Sequence, residues 1–341
     1  MAAKQLHSVL VSPGFPKHAD DTTCLPFLQD LVKGLRTMVQ ITIVAEDHPV
    51  QADYEWHGLP VHTLRKSAST FGKITARFKL AATLDEIHRQ KKIDVVHVFW
   101  LNWAAVQANQ WCLKNEVKMV LTFAGREPQL PDAWVKRFHA FRATTIAVSG
   151  FHKEHLQQRG FCIDEVIEWS VPSFAVKGER DVDFVWCGSM IAVKQPEWFI
   201  QCVAELLKKG WQGRAVMIGD DPTGKYKQEI SARGWQKRVV FTGLIPPNEV
   251  FAWMQRAHVF VHTAAYEAYG RVLAEALANG CKVVSTPVGL AHGHHAIHTG
   301  DSVAQISQLC WELLQDTKEI IPQAAECFPE QQYAALYKRL L

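Results

Sequence analysis

The sequence predicts an α/β protein built from two doubly wound parallel-sheet domains. Its 341 residues exceed what a single hydrophobic core usually organises. Short β-branched runs alternate with longer amphipathic stretches, the pattern of parallel strands joined by crossover helices. The alternation restarts after a turn-like segment at residues 169–174, so each half of the chain is expected to form its own sheet.

The expected elements of the first half alternate regularly from the first strand onward. Short apolar runs predict strands at residues 7–12, 39–45, 94–99, 118–123 and 145–148. Longer stretches with helical spacing predict helices at residues 25–36, 73–90, 103–114 and 133–142.

The second half repeats this order. Strands are expected at residues 184–187, 214–218, 239–242, 259–262 and 282–285, and helices at residues 198–208, 226–233, 248–255 and 270–279. We therefore predict an N-terminal domain at residues 1–175 and a C-terminal domain at residues 176–325. A last helix, within residues 326–341, is expected to pack back on the N-terminal domain.

Composition narrows the class of protein. Hydrophobic residues make up 48% and charged residues 21%, which is typical of a globular chain, and a net charge of +3 gives no reason to expect a nucleic-acid partner. The eight cysteines form no CxxC pair, and no apolar run is long enough to span a membrane. The expected location is cytoplasmic. The basic stretch at residues 66–79 is either a solvated helix face or a peripheral contact with the inner face of a membrane.

The most informative segment lies at residues 262–289, where a strand, a loop and a helix follow one another. Backbone N–H groups at a helix start form an anion site, and Gly270 allows close approach there, so a diphosphate fits. Arg271 in the first turn adds positive charge. Glu275, one turn further, can accept hydrogen bonds from a ribose diol, and Glu267 in the preceding loop can face a sugar.

This segment resembles the retaining GT-B glycosyltransferases of family 4, the glycosyl transferases group 1. Their pattern E-x-[FY]-G-x4-E-A-x3-G is matched by Glu267, Tyr269, Gly270, Glu275, Ala276 and Gly280. Residues 184–194 are similar to the family's strand and glycine loop, with Gly188 and Lys194 in register, and residues 240–243 are similar to the segment that flanks the base. The resemblance implies two Rossmann-like domains that face each other across a cleft.

The resemblance also implies roles for individual residues. Lys194 would neutralise the donor diphosphate, Glu267 would place the donor sugar, and these two are the expected catalytic residues. Glu275 would hold the ribose. The other expected donor-binding residues are Gly188, Ser189, Gly243, Tyr269, Gly270, Arg271 and Val272. Acceptor or cleft contacts are expected from Pro13, Gly14, His97, Gly125 and Arg126, with a satisfied core histidine as the alternative for His97.

The implied reaction transfers a hexose from a UDP- or GDP-sugar to a glycan or lipid-linked acceptor, as in polysaccharide biosynthesis. It retains anomeric configuration and needs neither a metal ion nor a cofactor. Two departures from the family pattern, Ser189 in place of an arginine and Ala124 in place of a histidine, leave open a catalytically weak nucleotide- or glycan-binding protein. A sugar-nucleotide epimerase is a third alternative. The histidines of residues 292–298 are expected to form a polar loop rather than a metal site.

Overall fold

The computed structural model describes residues 5–70, 76, 78–171, 179–316, 322 and 327–341. It divides the chain into two compact units, one formed by Met1–Trp169 with Cys327–Leu341 and the other by Ser170–Glu326. The predicted domain limits at residues 175 and 325 lie outside the described residues.

Unit 1 contains a doubly wound sheet whose middle strand comes first in the sequence. The elements are β1 (His7–Gly14), α1 (Pro26–Leu35), β2 (Gln40–His48), β3 (Tyr54–Trp56), β4 (Leu59–Thr63), α2 (Leu80–Gln90), β5 (Val95–Phe99), α3 (Trp103–Asn115), β6 (Lys118–Thr122), α4 (Asp132–Phe138), β7 (Thr144–Ala147), α5 (Gly150–Gln158) and β8 (Glu165–Val166). Over the described residues the strand order is β3-β4-β2-β1-β5-β6-β7-β8, and β3 alone runs antiparallel to its neighbour.

Unit 2 repeats this architecture with a smaller sheet. Its elements are β9 (Val182–Cys187), α6 (Pro196–Lys208), β10 (Ala215–Ile218), α7 (Lys225–Ala232), β11 (Val239–Gly243), α8 (Pro247–Arg256), β12 (Ala257–His262), α9 (Arg271–Ala278), β13 (Lys282–Ser285), β14 (Ile297–Thr299) and α10 (Val303–Gln315). The strand order is β11-β10-β9-β12-β13-β14, with parallel pairing throughout the described ladder.

The sheet of unit 2 is apolar on both faces because helices cover both. Ala215 and Met217 of β10 point into one buried cluster, and Val216 and Ile218 point into another. The alternation follows from the two-residue period of a strand. Burial on both faces holds the strands in place, so the loops at their carboxyl ends have defined positions.

The last helix, α11 (Pro329–Leu340), belongs to unit 1 and packs against α1. Tyr333 and Tyr337 on this helix are fully buried. The hydroxyl of Tyr337 lies 2.5 Å from Nδ1 of His97, and that of Tyr333 lies 3.0 Å from Oγ1 of Thr122. Buried polar groups are stabilised by such pairing, so α11 is an integral part of unit 1.

Several elements differ from the sequence-based expectation. The hairpin β3–β4, the short strands β8 and β14, and helices α5 and α10 were not predicted. Of the predicted helix at residues 73–90, the structure has α2 from Leu80 onward, preceded by a turn at residues 78–79, while residues 73–75 and 77 lie outside the described part. In the same basic stretch, Phe78 is 77% exposed. No helix within the described residues is long and apolar enough to cross a bilayer.

Candidate functional site

The candidate site lies where the strand order of unit 2 reverses. The chain leaves β9 to form β10 and β11 on one side, and then returns to place β12 on the other side of β9. Loops that follow β9 and β12 therefore run in opposite directions and leave a crevice at the carboxyl ends of the strands, where doubly wound sheets bind ligands. Gly188 and Lys194 follow β9, and Glu267 and Gly270 follow β12.

A lysine, a glutamate and a histidine meet in this crevice. Lys194, at the end of a short 3₁₀ turn (Ala192–Lys194), forms an ion pair with Oε1 of Glu267. Nε2 of His262, the last residue of β12, lies 3.2 Å from the same oxygen. Because a carboxylate only accepts hydrogen bonds, Nε2 must carry a proton in this contact. Nδ1 of His262 lies 2.9 Å from Oγ of Ser285 on the neighbouring strand.

These neighbours set the charge of Glu267. Burial alone would raise the pKa of this carboxyl, but the hydrogen bond from His262 and the charge of Lys194 lower the pKa to about 2. Glu267 is therefore a carboxylate throughout the physiological range. It is a fixed negative charge next to a lysine rather than a proton donor.

Hydrogen bonds tie together the two loops that carry this cluster. The hydroxyl of Thr263 lies 2.9 Å from the carbonyl oxygens of Lys194 and Gln195, and it accepts a hydrogen bond from Trp186 Nε1 at 2.9 Å. The N–H of Ala265 donates to the carbonyl of Val193 at 2.8 Å. Lys194 and Glu267, 73 residues apart in sequence, are thereby brought into contact.

The start of α9 forms a second part of the site. Gly270 precedes the helix with φ of +80°, a left-handed conformation that glycine adopts at little cost. Nε of Arg271 donates to Oε1 of Glu275 at 2.8 Å, and both side chains are mostly buried. The first N–H groups of a helix have no acceptor within it, so this terminus attracts anions.

A third loop packs against this helix start. Gly289 has φ of +55°, and a Cβ at this position would lie 2.4 Å from the carbonyl oxygen of Tyr269. The next residue, Leu290, donates its N–H to that same carbonyl at 2.6 Å. Tyr269 as a whole is 1% exposed, so its ring belongs to the core rather than to the surface of the site. This close approach explains why the 3₁₀ turn Gly289–Ala291, in the segment after β13, begins with a glycine.

The remaining predicted donor-site residues occupy the rim of the same sheet edge. Gly188 donates its N–H to the carbonyl of Ile218, and Ser189 beside it is exposed. Gly243 ends β11 with φ of +72°, two strands away from β9. Val272, in the first turn of α9, is half-buried. Sequence reasoning missed the contacts of His262, which ends β12, and of Thr263 directly after it, because both residues follow an apolar run and resemble core positions.

The structure corrects the expected cleft position of His97. This histidine is completely buried in β5, where Nε2 lies 2.7 Å from Oγ1 of Thr122 and Nδ1 contacts Tyr337. Burial lowers the pKa of His97 to about 3, so the ring stays neutral. It cannot contact an acceptor because α11 covers it, in agreement with the alternative of a satisfied core histidine.

The other candidates in unit 1 follow strands β1 and β6. Pro13 is half-buried, and Gly14 is buried with its Cα facing His48. After β6, Arg126 is exposed, while Gly125 donates its N–H to Oε2 of Glu127 at 2.8 Å. The side chain of Glu127 thus accepts hydrogen bonds from the backbone N–H groups of this loop.

The histidine loop after β13 adds a polar surface to unit 2. The rings of His294 and His295 stack with their centroids 5.1 Å apart. Within the described ranges, no group of three His, Cys, Asp or Glu side chains is arranged to hold a metal ion. Whether this loop contributes to ligand binding stays a prediction.

Two doubly wound units, the second with an anion-attracting helix start at its switch point, match the GT-B class of fold. The model of the family described as "Glycosyl transferases group 1" matches residues 181–316, and that of "Glycosyltransferase Family 4" matches residues 27–168. The chain belongs to this group 1, family 4 class of glycosyltransferases.

Known proteins resemble it at low identity. Sucrose-phosphate synthase from Thermosynechococcus elongatus superposes with a TM-score of 0.71 at 14% identity, over 98% of this chain and 99% of that one. HepE from Anabaena, determined with UDP and glucose, has a TM-score of 0.67 at 16% identity, over 97% and 94% of the two chains. These likenesses show the fold.

A curated relative matches part of the chain. The GDP-mannose-dependent alpha-mannosyltransferase of Corynebacterium glutamicum is 24% identical over an alignment of 172 residues, and the match covers 46% of this chain and 39% of that protein. The match thus spans well under half of the relative's length.

Proposed function

We propose that the chain is a retaining, metal-independent glycosyltransferase that moves a hexose from a UDP- or GDP-sugar to a glycan or lipid-linked acceptor. The observation that carries the proposal is the meeting of Lys194, Glu267 and the start of α9 at the switch point of unit 2. A cation, a carboxylate and a helix N-terminus within one crevice suit a ligand with a diphosphate at one end and hydroxyl groups at the other.

In the proposed complex, the donor diphosphate lies against the N–H groups at the start of α9 and draws Lys194 toward it. Departure of the nucleoside diphosphate leaves negative charge on the β-phosphate. Fixed positive charge and N–H dipoles stabilise this charge most in the transition state, which lowers the barrier. Because Lys194 is already held near its place by the Thr263 contacts, little reorganisation is needed.

The carboxylates of Glu267 and Glu275 have different proposed roles. Glu267, kept ionised by His262 and Lys194, accepts hydrogen bonds from the donor sugar and orients it. Glu275 accepts hydrogen bonds from the ribose, and binding releases Arg271 from its present ion pair toward the diphosphate. The two cations proposed to bind the diphosphate, Lys194 and Arg271, thus each form an ion pair with an acidic side chain of the site.

The nucleotide is proposed as uridine or guanosine diphosphate. The UDP named with HepE and the GDP-mannose named for the Corynebacterium glutamicum relative support these two bases. Chelators should leave the rate unchanged if the reaction proceeds without a divalent ion.

Thermal shift with UDP, GDP, ADP and their sugars tests the donor class. Stabilisation by one nucleoside diphosphate is expected, since a ligand that binds only the folded state raises the melting temperature. Glu267→Gln should abolish release of the nucleotide from its sugar while preserving that stabilisation. Glu205→Gln, on the solvent side of α6, is the matched control and should behave as wild type. Binding without turnover by the wild type would instead indicate a catalytically weak binding protein.

A further inference from the structure

Unit 1 contains a cavity of about 130 Å³ that the donor site does not use. It lies between the carboxyl-end region of β2 and the start of α3. Glu46 and Asn102 form its polar wall, Trp103 and Gln107 stand one helical turn apart along its edge, and Leu80 contributes apolar surface. The lining is mixed, with a carboxyl and an amide group beside an indole ring, and this combination suits a ligand that is polar at its edge and apolar on its face.

The polar wall is held in a defined orientation. The side-chain carbonyl of Asn102 caps α3 by accepting from the N–H of Ala105 at 3.1 Å. This contact fixes the amide so that Nδ2 points at Glu46 and lies 3.0 Å from each of its carboxyl oxygens. Each oxygen retains capacity to accept a further hydrogen bond. The carboxyl group therefore presents two positioned oxygens to the cavity.

The Trp103 ring at the edge of the cavity is partly exposed, and two neighbouring side chains hold it in place. Trp103 is 45% exposed. The guanidinium carbon of Arg137 lies 4.6 Å from the Trp103 ring, and the Trp134 ring packs edge-on with centroids 5.4 Å apart. A large indole surface held in place next to hydrogen-bonding groups can receive the apolar C–H face of a ring at low entropic cost.

The size of the cavity limits what it can hold. A volume of about 130 Å³ is smaller than the roughly 300–1,000 Å³ of sites that enclose a whole drug-sized ligand. It accommodates the hydroxyl-bearing edge of one sugar ring, and the rest of that ring would lie over Trp103. Burial raises the pKa of Glu46 to about 7, which suits a partner that both donates and accepts, as a hydroxyl does.

We propose that this cavity is a subsite for one pyranose unit of the acceptor, with its ring on Trp103 and its hydroxyls on Glu46. Its description as an acceptor subsite rests on the proposed glycosyltransferase function. The binding of a sugar ring there does not depend on the donor site.

Saturation-transfer NMR with the methyl glycosides of mannose, glucose and galactose tests the proposal on the full chain without nucleotide. At least one glycoside should show saturation transfer to its ring protons. Trp103→Ala and Glu46→Ala should each raise its dissociation constant about tenfold, equivalent to ~1.4 kcal/mol. Leu113→Ala, an exposed position on the same helix, is the matched control and should leave binding unchanged.

Two results would overturn the subsite. One is saturation transfer from none of the glycosides, and the other is equal affinity of the wild type and Trp103→Ala. Thermal shift with UDP and GDP on the same proteins separates this inference from the proposed function. Glycoside binding without nucleotide binding would refute the donor site alone, and the reverse would refute the subsite alone.

Discussion

The contact between Lys194 and Glu267 should contribute measurable stability, which Lys194→Met would remove. The pKa of Glu267 falls from its ordinary 4.5 to about 2 in the folded protein. At ~1.36 kcal/mol per pKa unit, this depression corresponds to about 3 kcal/mol in favour of the ionised form. His262 supplies part of it, so we expect Lys194→Met to cost about 1–2 kcal/mol at pH 7.

The same contact predicts a pH dependence with a definite sign. The folded protein holds Glu267 ionised at a pH where the unfolded chain would bind a proton, so this stability is fully present above about pH 4.5. It is lost as the pH falls from there toward about 2. The penalty of Lys194→Met should therefore be smaller at pH 3 than at pH 7.

A double-mutant cycle isolates the interaction. Urea unfolding of the wild type, Lys194→Met, Glu267→Gln and the double variant gives a coupling energy at each pH. The exposed pair of Lys208 and Glu205 is the matched control, and its coupling should stay within about 0.5 kcal/mol. A coupling of the Lys194 pair below about 0.5 kcal/mol at pH 7, or one that grows at pH 3, would show that this ion pair does not stabilise the protein as proposed.

Three further outcomes follow from the described geometry. Glu275→Ala should weaken nucleoside diphosphate binding about tenfold by calorimetry, and an unchanged affinity would argue against the ribose role. Gly289→Ala should destabilise the protein by about 2–4 kcal/mol, because both the positive φ and a backbone clash oppose it. Gly293→Ala, with positive φ but open space, should cost only about 1 kcal/mol, so equal melting temperatures of the two variants would contradict the clash. Tyr337→Phe should cost about 1–3 kcal/mol in urea unfolding by leaving the buried Nδ1 of His97 without its partner, and a neutral result would show that the contact is dispensable.

The sequence predicted the sheet architecture well because buried parallel strands leave a strong local pattern. It missed the β3–β4 hairpin, whose strands are short. The hairpin turns at His57 and Gly58, which have φ of +48° and +76°. Gly58 was the available signal, but the paired Asn-Gly or Asp-Gly that usually marks such a turn is absent.

The site was predictable in its parts but not in its contacts. The spacing of Glu267, Gly270 and Glu275 identified the helix start from sequence. The i,i+4 pair of Arg271 and Glu275 is readable from sequence, but the partner of Glu267 was not visible, since Lys194 lies 73 residues earlier. The burial of His97 depends on α11, whose Tyr337 lies 240 residues later in the sequence. The pattern of residues around His97 carries no information about so distant a partner.

We propose that the start of α9 and Lys194 bind the diphosphate of a sugar nucleotide. A crystal structure with bound UDP or GDP measures this directly. We expect the β-phosphate within hydrogen-bond distance of Lys194 Nζ and of the N–H groups of Gly270 and Val272, with a ribose hydroxyl on Glu275. A nucleotide bound away from α9, with Lys194 still paired to Glu267 and Arg271 to Glu275 as they are here, would contradict it.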